Sequence, residues 1–203
     1  MSRILTWLVF AACLLPAAAS ADPPPAKGRL LVATEQIDGD IFMQTVILLL
    51  HYDETGAMGL VVNRPTEVGM DELVADDDDI AAYAGPIYWG GPVQMNSLRA
   101  LMKEDSAPEG AENIVDSVYL APLNDAPEIA LNDASRLRLF MGFAGWAPGQ
   151  LDNEIAIGSW HVVPASDDVV FSKDPGQLWK RLLPPPEHRA EVRTVEATAV
   201  LGG

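Results

Sequence analysis

The chain of 203 residues reads as one α+β domain with an appendage at each end. Three observations predict that class. A continuous apolar run is followed at once by turn chemistry and a second apolar run, which makes an early hairpin. Strand-like and helix-like segments then mix irregularly, without the regular alternation of a βαβ winding. No repeat of fixed period runs through the chain.

Taken in order, Asp22 to Lys27 (DPPPAK) is an extended, Pro-rich spacer without core residues. Gly28 opens the domain and Arg29 to Thr34 is a first strand. Glu35 to Asp40 is a loop. Val46 to Leu50 is apolar without alternation, as in a strand buried on both faces. Periodicity alone also fits a buried helix. The turn Asp53-Glu54-Thr55-Gly56 decides for a strand, because Gly56 suits the left-handed position of a hairpin loop. Ala57 to Asn63 is the second strand, and Pro65, which has no N–H to donate, ends it.

Val68 to Tyr83 reads as a mainly helical connector containing the acidic run Asp76 to Asp79. Pro86 to Val93 (PIYWGGPV) is a strand running into a Gly-Gly-Pro bend. Ser97 to Lys103 and Val115 to Ala121 are strands joined by the polar loop Glu104 to Asn113. Glu128 to Asn132 is a short helix.

Arg136 to Trp146 alternates. Leu137, Leu139, Met141 and Phe143 fall on one face, and Arg136, Arg138, Phe140, Gly142 and Ala144 on the other, which predicts a strand with one strongly apolar face. Gly142 and Gly145 mark a bulge or a close backbone approach. Pro148 is placed at the first position of a short helix. Asp152 and Glu154 stand near its start, where the dipole favours anions, and Gly158 is its stop. Trp160 to Pro164 resumes an extended run. Val169 to Phe171 is a last strand, and Pro175 to Leu183 a last helix with Leu178, Trp179 and Leu182 inward. Residues 184–203 form a loose tail that begins with three prolines.

Composition narrows the address and the partners. The formal net charge is −16, with 29 acidic and 13 basic side chains, which argues against a nucleic-acid partner. Residues 1–21 read as a signal peptide. Arg3 starts it, Ile4 to Leu15 is an apolar run too short for a span of ~20 residues, and Ala19-Ser20-Ala21 fits a cleavage site. A periplasmic or secreted protein with no stable membrane span follows. The alternatives are a lipoprotein attached at Cys13 and an uncleaved anchor. Cys13 is the one cysteine, so the mature chain has neither a disulfide framework nor a Cys-based metal site.

Three motifs carry a resemblance: HYDETGAMGLVVNRP (His51 to Pro65), YWGGPV (Tyr88 to Val93) and GFAGWAPGQLDNEI (Gly142 to Ile155). Together, in this order and spacing over Arg29 to Leu183, they resemble the YqgE/AlgH family. The resemblance implies a single layered domain over residues 28–183, with a coiled, bifurcated, mainly antiparallel sheet and flanking helices. A three-layer α/β sandwich is the alternative. The family's molecular activity is not established, and some members carry the label of transcriptional regulator. Phe143 stands where the family usually has Tyr, Asp152 where it has Glu, and Met102 where a His follows the Leu. The export signal is a further departure and disfavours gene regulation.

No catalytic constellation emerges. His51, His161 and His188 have no metal-ligand spacing. Asp76 to Asp79 lacks the alternating ligands of a calcium loop. No serine sits in a nucleophile motif, and the glycines match no phosphate or dinucleotide fingerprint. Neither a cofactor nor a metal is expected. The candidate binding cleft gathers strand ends and the Trp-Pro-Gly-Gln corner: Asn63, Arg64, Gly90, Gly91, Trp146, Gln150 and Glu154, with Arg64 to Glu154 as an ion pair. The competing structural reading has Arg64 capping carbonyls and Trp146 and Trp160 filling core. The function expected is a non-enzymatic binding or interaction module for an unidentified protein or small molecule. The alternatives are a hydrolase-like enzyme using the Arg64/Glu154 cleft and the regulator of the family label.

Overall fold

The computed structural model of the chain describes residues 22–39, 41–70, 83–122 and 133–184. The leader, the Asp76 to Asp79 run with most of the predicted helix around it, the helix at Glu128 to Asn132 and the tail beyond Pro184 lie outside the described residues.

The fold is α+β: one curled, mostly antiparallel sheet with a few short helices on its faces. Its strands are β1 (Arg29–Ala33), β2 (Val46–Asp53), β3 (Gly56–Val61), β4 (Ile87–Trp89), β5 (Val93–Lys103), β6 (Glu112–Val115), β7 (Val118–Ala121), β8 (Leu137–Trp146) and β9 (Trp160–Pro164). The helices are α1 (Gln150–Ala156), α2 (Asp167–Val170) and α3 (Leu178–Leu182), the last preceded by a 3₁₀ turn at Pro175–Gln177. The main path runs β6-β7-β5-β8-β3-β2-β1-β9. The sheet curls until its far ends approach. Gly28, just ahead of β1, lies so near β6 that a Cβ there would stand 2.5 Å from the Ile114 carbonyl oxygen.

The predicted hairpin forms as β2 and β3, with Asp53 opposite Gly56. Period two divides the apolar side chains between two faces. Leu30, Leu48, Leu60 and Phe140 pack on one face beneath Val170, Phe171 and Leu178. Leu31, Ile47, Val61, Trp146 and Trp160 pack on the other, under Leu151 of α1. A third cluster fills the β4/β5/β8 wing with Ile87, Met102, Leu137, Leu139 and Met141.

The sheet forks at β8. Residues 137–141 of β8 pair with β5 on one side, and residues 139–141 pair in parallel with β4 on the other. Beyond the fork, residues 144–146 pair with β3 instead. Gly90 stitches the branches together: its N–H donates to the Met141 carbonyl at 2.7 Å and its carbonyl accepts from Val61 N–H at 3.0 Å. Gly91 and Gly142 line the crotch at φ 151° and 66°. A Cβ on Gly91 would lie 2.1 Å from the Phe143 carbonyl carbon, so only hydrogen fits there.

Four expectations are corrected. Val115 to Ala121 is not one strand but the end of β6, a turn with Asp116 at φ 45°, and β7. Val169 to Phe171 is not a strand: it belongs to the helical turn α2, where Phe171 N–H bonds the Asp167 carbonyl at 2.8 Å. Three apolar residues do not distinguish the two states, and Asp167 and Asp168 in the first turn favour the helix. Gly149, left-handed at φ 71°, is the N-cap of α1, so Pro148 stands outside the helix. Finally, β8 is covered on both faces, because α2 and Phe171 close over its second face.

Candidate functional site

Glu154 organises the corner between β8, α1 and β9. One carboxylate oxygen accepts both indole N–H groups, Trp146 at 2.8 Å and Trp160 at 2.8 Å. The other accepts the Gln150 amide at 2.9 Å, and the Gln150 carbonyl oxygen accepts Ala147 N–H at 3.0 Å. The two indoles meet edge to face, with centroids 6.1 Å apart. Helical spacing explains the Gln150–Glu154 contact, since residues four apart share a face. Charge-assisted bonds of this kind contribute ~1.5–3 kcal/mol each. Asp152, the neighbouring acid, turns away and accepts from the Tyr52 hydroxyl at 2.5 Å. That bond raises the Tyr52 pKa, with burial adding to it.

Asn63 and Arg64 work at the other end. Asn63 is buried; its side-chain oxygen accepts Val46 N–H at 2.8 Å and its amide donates to the Gln44 carbonyl at 2.9 Å. It closes the loop between Phe42 and β2. Arg64 donates to the carbonyls of Ile41 and Met43, at 2.5 and 2.7 Å, and lies over the Trp89 ring at 5.2 Å. Burial depresses its pKa.

The expected ion pair between Arg64 and Glu154 is therefore corrected. The carboxylate is occupied by two indoles and an amide, and the guanidinium reaches the 41–43 loop instead. The two ends are nevertheless connected on one face of the sheet. An aromatic row runs Trp89, Phe42, Trp160, Trp146, with successive centroids 6.1, 6.0 and 6.1 Å apart. Gly90 and Gly91 are buried beside Trp89 at the fork, while Gln150 is exposed. Phe42 and Trp89 were not among the residues singled out from the sequence. The one available signal was an aromatic beside the Gly-Gly bend.

Sequence reasoning also missed Arg138. It is buried on the far face of β8, 5% exposed, among Phe140 and the residues of α2. Its guanidinium donates to the carbonyls of Val170, at 2.8 Å, and Ser172. It lies over the rings of Tyr88 at 4.8 Å and Phe171 at 5.4 Å. Burial depresses its pKa and raises that of Tyr88. A cavity of about 320 Å³ opens beside it. Elsewhere, His161 meets Asp22 at 2.9 Å and His51 meets Asp53 at 3.0 Å. Among the described residues no group of three or more His, Cys, Asp or Glu could hold a metal ion. No described helix is long and apolar enough to cross a membrane.

Comparison with known proteins places this geometry. An AlgH-like family model matches residues 30–185. A UPF0301 protein of Streptomyces avermitilis is 37% identical over 162 residues, 77% of this chain and 84% of that protein. One from Chlorobium phaeobacteroides is 33% identical over 159 residues, 76% and 83% of the two chains. A crystal structure of a Corynebacterium diphtheriae protein superposes with a TM-score of 0.70 at 26% identity, covering 83% of this chain and 92% of that one. The solution structure of the AlgH protein from Pseudomonas aeruginosa gives 0.59 at 25% identity, with 91% and 93% covered. The forked sheet, the three motifs and these matches agree, and the chain belongs to the AlgH-like family.

Proposed function

We propose that this chain is an exported, non-enzymatic interaction module whose partner is a protein. One observation carries the reading. Four of the large apolar side chains left exposed among the described residues, Ile41, Met43, Val93 and Met95, adjoin the Arg64 loop or the glycine fork. Two guanidiniums stand with them: Arg64 over Trp89, and Arg99 over Phe143 at 4.4 Å. Methionine, aromatic and arginine side chains are the residue types enriched in protein interfaces. On a chain of net charge −16, such a patch suits a partner that presents apolar side chains framed by carboxylates. Glu154, the acid on which an enzymatic reading leaned, holds two tryptophans in place.

The test is photo-crosslinking in cells, with the probe placed at Met43, at Met95 and, outside the patch, at exposed Lys180 of α3. The same protein, trapped from the periplasmic or secreted fraction at the first two positions and not at Lys180, is expected. Trapping at Lys180 alone, no adduct at any position, or a cytosolic chain that retains Met1 would overturn the proposal.

A further inference from the structure

The cavity beside Arg138 is a second site, independent of the interaction surface. We propose that it binds a small organic carboxylate with an apolar body. Arg138 is the first reason. Among the described residues no carboxylate pairs with it, and two carbonyls and two ring faces are its only partners. A buried charge is costly unless paired, and an arriving anion would supply the missing half. Two of the five guanidinium N–H donors are used on the carbonyls, so donors remain.

Tyr88 is the second, independent reason. It lines the cavity and is 3% exposed, and its hydroxyl has no hydrogen-bond partner among the described residues. Among the described residues, the one fully enclosed side-chain polar atom without a partner is an oxygen of Glu104, so the Tyr88 hydroxyl is not sealed in and meets the cavity. A phenolic hydroxyl that meets a cavity keeps its O–H available to donate to an arriving carboxylate. Lys173, exposed at the rim and without an ion pair among the described residues, adds a second positive charge.

The walls decide what kind of anion. Pro65, Pro86 and Pro175 with the Phe171 ring make a rigid apolar lining. That lining gives nothing to bare phosphate but covers hydrocarbon well. About 320 Å³ is at the lower end of the range for small-molecule sites, so the ligand is compact.

The experiment is a titration of the full-length mature protein, followed by amide NMR. The probes are benzoate, 3-phenylpropionate and octanoate, each beside its neutral amide, and inorganic phosphate. The acids should give saturable shifts at Ser135, Arg138 and Lys173, with dissociation constants on the order of 1 mM. The amides and phosphate should bind at least about tenfold more weakly, from the charge term and the apolar term respectively. Tyr88→Phe should weaken the acids about fivefold and Lys173→Ala about threefold. Neither variant removes a bond that the fold uses. No saturable shift from any acid up to about 20 mM, amides or phosphate binding as well as acids, shifts centred elsewhere, or unaffected binding in both variants would each overturn the assignment.

Discussion

Each end of β8 meets one charged side chain, half-buried Glu154 of α1 at one end and buried Arg138 at the other, and the two are partnered differently. At Trp146 the strand delivers an indole to Glu154, whose two oxygens are filled by three neutral donors. At Arg138 the same strand delivers a cation to two carbonyls and two aromatic faces, beside open space. A carboxylate with three of its roughly four acceptor sites taken by the fold serves as a structural part. A charge with spare donors facing a cavity is a reception point. Arg138 is the more deeply buried of the two and keeps the larger unused hydrogen-bonding capacity.

The largest disturbance of this comparison comes from the fork that joins the two halves. Gly91→Ala puts a Cβ 2.1 Å from backbone carbon at φ 151°. It should cost roughly 3–5 kcal/mol, read from the midpoint of chemical denaturation. A loss below about 1 kcal/mol would mean that the branches can slide apart without penalty.

Next comes the Glu154 end. Glu154→Ala leaves two indole N–H groups unpaired and should cost about 2–4 kcal/mol. Glu154→Gln keeps one acceptor oxygen and should cost about half as much. Both should leave carboxylate binding at Ser135 and Lys173 unchanged. If Glu154→Ala abolished that binding, the two ends would be one coupled site.

The smallest effect is at high pH. Tyr83 donates to the Pro86 and Leu137 carbonyls at 3.1 and 3.4 Å and packs with the wing that carries β4. Burial pushes its pKa up to about 12. The folded state therefore favours the protonated phenol. That contribution is complete below the unfolded value near ~10 and is lost as pH rises through about 12. Stability followed from pH 9 upward should fall over this window, and Tyr83→Phe should flatten the fall. An equal slope in the variant would assign the alkaline loss to another group.

Much of the fold could be read from residue order. Asp53-Glu54-Thr55-Gly56 between two apolar runs specifies a hairpin, and the stretch that stops at Gly158 specifies a short helix, although Pro148 pointed to a start two residues before the observed Gln150. The glycine corner was legible as a bend but not as a fork. Parallel pairing of Ile87–Trp89 with β8 is a long-range choice that leaves no local trace. Arg138 falls opposite the strongly apolar face, with Arg136 and Phe140, because it alternates with Leu137 and Leu139. Only the later segment around Val170, folded back over the sheet, turns that face into core. Val115 to Ala121 hid its turn because Asp116-Ser117 carries neither glycine nor proline. Of the seven residues proposed for the cleft, Trp146, Gln150 and Glu154 form one cluster. Asn63 and Arg64 serve the neighbouring loop, whose carbonyls lie closer to hand than the distant carboxylate.

The short proline-rich lead-in looked like slack, yet it is tied at both ends. Asp22 accepts Val162 N–H at 3.3 Å and touches His161, on the last strand of the sheet path; Lys27 meets Glu112 at 2.8 Å, on the first. Rows of unpaired main-chain groups at such borders invite other chains to add on. Six residues before the domain thus place charge at both borders of the curl, the kind of feature that discourages edge-to-edge pairing. Shortening the leader side of this protein would then be felt first as self-association, before any loss of folding.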